Sequence, residues 1–378
     1  MKIMARFPRL CVCLLILGVF VPGVFVNDAV FAQQMRSASS KHVTLQFPAE
    51  REILGRELSG EAERCYEYMN RATNGGLPRN ISIALDWNAS ESAWNFRAGR
   101  VTIGMNQPEA AADARKFLRH NLPYGIARLG LINISQGAQR EDTEFLFEGM
   151  AEILTHEYSH SSRSLDAAWA TAKLLDETGR LGLSHQRAWL EFSEGKRNHR
   201  NAAPGITFLM VQRETDRSRL MKFFEALRKN SLLNALNQAF KAPAAELEAA
   251  WLKKVRAYEI PGEITVQNSD APILLKIAPA ENPAPAGRPV RLDLFIRDLS
   301  DDIYPENVFI RDSRSGKTFQ AQSAALLEDE SENVVSAYFV IIPVEDDCPA
   351  GNYSFQAIVI DDIGNLRQGN GTYSVISG

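Results

Sequence analysis

The pentapeptide His156-Glu157-Tyr158-Ser159-His160 has the residue types and the spacing of a zinc site. On a helix, residues four apart share a face, so two imidazoles reach one ion while the intervening glutamate activates the water bound to it. The third ligand then has to come from downstream, where Glu177 in "LLDETGR" and Glu194 in "AWLEFSEG" are the candidates. Glu194 follows a tryptophan, but the "GKRN" after it lacks the apolar positions that would bury its helix, and no strand pair precedes His156. A plainer account makes these residues the polar end of a helix, with the histidines near the negative end of its dipole.

The same helix begins with a second set of acids. In "EFLFEGMAEIL" Glu148 and Glu152 stand one turn apart, with Gly149 and Ala151 as small residues between them. This stretch resembles the W-L-x-E-G-x-A-E helix of the gluzincins, in the broad peptidase MA superfamily. The resemblance extends over residues 42–257. It takes in the strand pair "ISIALDW" and "GRVTIGM" before the helices and the helical tail that ends near Trp251. It implies a zincin-like fold, with Glu148 at the third-ligand position and Glu152 as a supporting acid. It also implies that the helix of the zinc histidines lies about 25 residues earlier, at "ARKFLRHNLPYGIARLGL".

There the motif reads His120-Asn121-Leu122-Pro123-Tyr124. By the resemblance His120 matches the first zinc histidine, Asn121 replaces the general base and Tyr124 replaces the second histidine. An amide does not take a proton from water. A phenol with an unperturbed pKa near ~10 is a poor ligand. Pro123 removes a helical hydrogen bond at a cost of roughly 3 kcal/mol, so this helix is expected to kink or end there.

Helix pitch separates the two motifs. His156 and His160 lie eight and twelve residues beyond Glu148, about 12 and 18 Å along one axis at ~1.5 Å per residue. Zinc–ligand bonds are about 2 Å, so one ion does not join Glu148 to these histidines. Two functional readings follow. The first is a vestigial site at His120, Asn121, Tyr124, Glu148 and Glu152 in a non-catalytic pseudopeptidase that binds a peptide or cell-envelope protein and needs no cofactor. The second is an active zinc metallopeptidase with His156, His160 and Glu194 as ligands and Glu157 as base. An adhesion role led by the C-terminal region is a third.

The elements that must position these residues are expected to form an α+β arrangement. Strands at 43–47, 80–87 and 99–105 make a small mixed sheet, covered by the helix in "AEREILGRELSGEAERCYEYMNRAT". From about Ala111 to Tyr258 the pattern is helical, with Leu220, Phe223, Phe224 and Leu227 on one face and Ser231 as an N-cap. Residues 272–378 switch to a period of two and are expected to form an all-β sandwich. The phrase "DDCPAGNYSFQAIVIDDIGN" resembles the closing strands of bacterial immunoglobulin-like modules. The acid pairs Asp301-Asp302, Asp346-Asp347 and Asp361-Asp362 read as solvated loop acids rather than calcium ligands. Trp87 and Trp94 read as packing residues.

Residues 1–32 carry Lys2, Arg6 and Arg9, an apolar run from Leu10 to about Val26 and small residues up to Ala32, the order of a secretory signal. The run falls short of the ~20 apolar residues of a membrane span. The net charge of -4 becomes -6 once those three basic residues and Asp28 leave with the signal. That mild negative balance argues against nucleic acid or an anionic membrane as partner. Cys11 and Cys13 fall within the leader; Cys65 and Cys348 remain, too far apart in sequence to be a disulfide framework and expected to be unpaired.

Overall fold

The computed structural model describes residues 34–378 apart from 141, 160–164, 184–198, 216, 267–270, 298–302, 304–306, 329–333, 362 and 378. The expected leader, His160, Glu194, Asp301, Asp302 and Asp362 therefore lie outside the described residues. Met35–Gly378 form one compact unit.

Its fold is α+β, with a C-terminal β-rich region. The first sheet has the order β1-β2-β3-β5-β4, from β1 (Met35–Ser39), β2 (Val43–Pro48), β3 (Ile81–Asp86), β4 (Ala93–Asn95) and β5 (Arg100–Gly104). The pairs β2/β3 and β3/β5 are parallel, while β1 and β4 join as antiparallel edges. Val43, Leu45, Ile83, Leu85, Val101 and Ile103 alternate into the core, as a half-buried strand requires. Neither edge strand was legible in the sequence. β1 is largely exposed and β4 is three residues long, so neither has a period to detect.

Helix α1 (Glu52–Ala72) lies on this sheet and buries Cys65, Tyr66 and Met69. After the short α2 (Pro108–Ala112) comes α3 (Ala114–Ile134), whose first turn is capped by Asp113 accepting the Lys116 amide at 3.0 Å. Of the two expectations at Pro123, a kink or an end, the end does not hold: α3 continues eleven residues beyond it to Ile134. Every residue from Leu122 to Ile132 is buried, and that burial outweighs one lost backbone bond.

Next come α4 (Glu144–Ser159), α5 (Leu165–Glu177), α6 (His199–Thr215), α7 (Arg217–Ala226), α8 (Leu232–Phe240) and α9 (Ala244–Ala257). Leu220, Phe223, Phe224 and Leu227 are buried together as the spacing implied, and Ser231 caps α8. Helices α4 and α6 cross at backbone contact: a Cβ on Gly149 would stand 2.4 Å from the backbone of Gly205 and Ile206. One on Gly205 would stand 1.8 Å from the Phe145 carbonyl oxygen. Trp251 is fully buried and donates to Thr207 Oγ1 at 3.0 Å, which ties α9 to α6.

The C-terminal region is a two-sheet sandwich. It is built from β6 (Ile273–Pro279), β7 (Ala284–Pro285), β8 (Val290–Arg297), β9 (Val308–Asp312), β10 (Thr318–Gln320), β11 (Gln322–Glu328), β12 (Val334–Ile342), β13 (Gly351–Ile360) and β14 (Leu366–Ile376). The sheet orders are β10-β9-β13-β14-β7 and β11-β12-β8-β6. Leu292, Leu294, Ile310, Val340, Ala357 and Tyr373 meet between them.

The helical and β regions share a boundary rather than a free linker. Phe309, Ile358, Ile360 and Leu366 belong to the core of the helical region, and Ile264 pairs with Leu366 by a β-bridge. Asp361 corrects the expectation of a solvated acid. It is 1% exposed and accepts the amides of Ile363, Gly364 and Asn365 at 3.1, 2.8 and 2.7 Å, so it shapes the turn before β14. Cys65 and Cys348 are free and buried, one in each core.

Candidate functional site

Helices α3 and α4 face each other through two ladders with a period of four. His120, Tyr124 and Arg128 form one face of α3, and Glu144, Glu148 and Glu152 form the opposing face of α4. The helices run antiparallel, which the rungs record. His120 Nε2 lies 3.3 Å from Glu152 Oε1, and the Tyr124 hydroxyl donates to Glu148 Oε2. Arg128 Nη2 donates to Glu144 Oε1 at 2.6 Å, and its Nη1 lies 3.2 Å from Glu148 Oε1. Residues four apart stack on one face of a helix, so a shared period of four brings three successive turns into register.

The structure thus brings together four of the five vestigial-site residues: His120, Tyr124, Glu148 and Glu152. His120 stands opposite Glu152 rather than Glu148. Asn121 looks elsewhere, its Nδ2 donating to the Phe117 carbonyl of its own helix at 2.9 Å. His120, Tyr124, Arg128 and Glu152 are all buried. The His120 and Tyr124 rings stack 5.8 Å apart, and Trp94 on β4 meets Tyr124 edge-on and donates its indole N–H to the Gly125 carbonyl at 3.0 Å.

Sequence reasoning missed Arg128 and Glu144. The signal available was the continuation of each ladder by four residues. Arg128 is 1% exposed, with its guanidinium 5.4 Å from the Trp94 ring centre and 5.8 Å from that of Phe147. Burial opposes its charge, but Glu148, Tyr124 and Glu144 outweigh that and hold the guanidinium above the ordinary arginine range.

The residues of this cluster do not fit a zinc ion. Both oxygens of Glu148 have partners, a phenol on one and a guanidinium on the other, and zinc would have to displace both. Among the described residues no three His, Cys, Asp or Glu side chains converge as a donor set.

The second motif has different surroundings. Helix α4 continues through His156 and Glu157 to Ser159, so the pitch that separates them from Glu148 is that of one uninterrupted helix. Glu157 accepts the Tyr68 hydroxyl at 3.1 Å and the Arg213 guanidinium, joining α4 to α1 and α6. Tyr158 donates to Glu61 at 2.5 Å, and its ring packs on Tyr68. Burial alone would raise the Glu61 carboxyl; the Tyr158 hydrogen bond and the Arg64 guanidinium outweigh it and hold Glu61 below its usual 4.5. Burial, then the bond to Glu61, push the Tyr158 phenol above its ordinary range. Nδ1 of His156 is buried without a hydrogen-bond partner among the described residues.

Glu177, the other candidate third ligand, has partners in the β region. It accepts Arg311 through both oxygens at 2.9 and 2.7 Å and the Thr318 hydroxyl at 2.7 Å, fastening α5 to β9 and β10. It is a boundary residue between the two regions.

Beside the ladders an open depression of about 650 Å³ is lined by Trp94 and Phe96 from the β4 edge, Ile132, and Gln139, Arg140 and Glu144. No described helix is long and apolar enough to cross a membrane. No family model matches the chain, and no curated protein does. Among solved structures it is similar to CopC from Methylosinus trichosporium OB3b, with 16% identity and a TM-score of 0.19, over 28% of this chain and 94% of that one.

Proposed function

We propose that this is an exported pseudopeptidase, a non-catalytic protein that holds an extended segment of a peptide or cell-envelope protein at the edge strand β4 and the depression beside it. One observation carries the reading. The residue at the general-base position, Asn121, spends its amide on its own helix, while Tyr124 and Arg128 close Glu148. Neither Asn121 nor Glu148 is then placed to activate water. A binding role remains, because β4 is the edge of its sheet and Trp94 and Phe96 line the depression beside it with apolar surface. The leader-like N-terminus supports export.

The test is titration of the purified protein with a library of unstructured peptides, followed by Trp94→Ala. Saturable binding weakened at least tenfold by that substitution, with no cleavage of the bound peptide, is the expected result. Cleavage that a chelator abolishes would overturn the reading.

A second reading, a zinc metallopeptidase using His156, His160 and Glu157 with Glu194 as third ligand, is favoured by the orphaned Nδ1 of His156. Against it, both oxygens of the required base, Glu157, are engaged by Tyr68 and Arg213.

A further inference from the structure

We infer that Arg128 is the resident cation of the α3–α4 centre: its guanidinium supplies, from within the chain and in place of a metal ion, the positive charge that the facing carboxylates need. The inference goes beyond the proposed function, since it concerns what holds the centre together whether or not a peptide binds beside it.

Three observations support it. Arg128 reaches two rungs: its Nη2 donates to Glu144 at 2.6 Å, and its Nη1, which makes no hydrogen bond among the described residues, lies 3.2 Å from Glu148, so one guanidinium sets its charge against acids a full helical turn apart. The same guanidinium lies near the Trp94 and Phe147 rings, surroundings that suit a flat, weakly hydrated cation. A metal ion would instead require nitrogen or oxygen donors at those places. Finally, Tyr124 donates a hydrogen bond to Glu148, and a phenol that keeps its proton is a poor metal ligand. Arg128 also lies within α3 two turns from His120, so the helix that would offer metal donors already delivers a cation to the acids opposite. A zinc ion bound to Glu148 would stand against a guanidinium with which it shares a carboxylate, and like charges repel strongly where water is excluded.

The experiment uses the full chain after leader removal and no peptide, so failure of the peptide-binding reading leaves its result intact. Melting is measured with zinc, with a chelator and with neither, and zinc binding is followed by calorimetry. The wild type is expected to melt at one temperature in all three conditions and to show no zinc binding that His120→Ala removes. Arg128→Met is expected to melt well below the wild type, and Arg128→Lys, which keeps the charge but not the fork, in between. The double variant Tyr124→His/Arg128→Met, with the cation removed and a donor restored, is expected to bind zinc at least tenfold more tightly than the wild type and to be stabilised by it. One equivalent of zinc in the wild type, released by His120→Ala or Glu148→Gln, overturns the inference; so does an Arg128→Met protein that melts like the wild type. Should Arg128→Met fail to fold, the wild-type zinc titration with its His120→Ala control still decides.

Discussion

The segments 120–124 and 156–160 each contain a histidine motif, and they differ in where the letters of a zinc helix and its architecture reside. Residues 156–160 have the letters, but Glu157 and Tyr158 are used as fasteners to Tyr68, Arg213 and Glu61 on neighbouring helices. Residues 120–124 depart from the letters at two positions, yet they face an acidic ladder across a helix pair beside an edge strand. A spacing of four places two side chains on one face of a helix; what that face meets is a property of the neighbouring element. Chemistry needs both.

The largest effect expected from breaking this contrast is at the helix crossing that presents Glu148. Gly149→Val places atoms on the backbone of Gly205 and Ile206, and it should destabilise the protein by about 3 kcal/mol in urea unfolding. It should also disorder the 120–124 centre before the rest. Retention of wild-type stability would mean that α4 is not set by this contact.

Glu157→Gln separates a fastener from a base. The buried side of α4 loses charge-assisted bonds to Arg213 and Tyr68, at a cost of about 2 kcal/mol, with no change in any hydrolytic signal. A protein that keeps its stability but loses chelator-sensitive peptide cleavage would restore 156–160 as the working site.

Tyr158→Phe tests the same segment through pH. Glu61 is held below 4.5, so its contribution is fully present above that value and is lost as pH falls through the lowered folded value. Removing the Tyr158 hydroxyl should cost about 1 kcal/mol at neutral pH and make the loss of stability below pH 4.5 shallower. Unfolding curves at several pH values between neutral and strongly acidic would measure both. An unchanged acid limb would detach Glu61 from Tyr158.

The smallest effect is expected where the letters are repaired. Asn121→Glu returns a carboxylate to the base position, but Tyr124 and Arg128 still close Glu148, so no peptide cleavage should appear in a fluorogenic assay. Cleavage by this single variant would show the centre to be one residue from activity.

Much of this protein could be read before its structure. Strands β2, β3 and β5, the long α1, the helical tail and most of the sandwich follow from apolar period, because burying one face imposes a period on the residues that form it, whereas α3, buried all round from Leu122 to Ile132, was located by the resemblance of its segment. Short edges such as β4 escaped, since three residues hold no period. The helix does not end at Pro123, because burial of the turns that follow it outweighs a local backbone penalty of roughly 3 kcal/mol. Asp361 was read as an exposed acid, and Glu177 as one of two candidate third ligands for the His156–His160 site. Their actual partners, an amide-rich turn and an arginine more than a hundred residues away in sequence, are not encoded in local composition.

By itself the amino-acid order determined which side chains share a helical face: His120, Tyr124 and Arg128 on one, Glu144, Glu148 and Glu152 on another. Tertiary structure alone decided that these faces meet antiparallel and in register, that the guanidinium lies between two acids, and that Glu157 meets Arg213 and Tyr68. The physical reason is that helix pitch is a local property of the backbone. Register between helices is set by close packing of residues far apart in the chain, as where Gly149 of α4 meets Gly205 of α6.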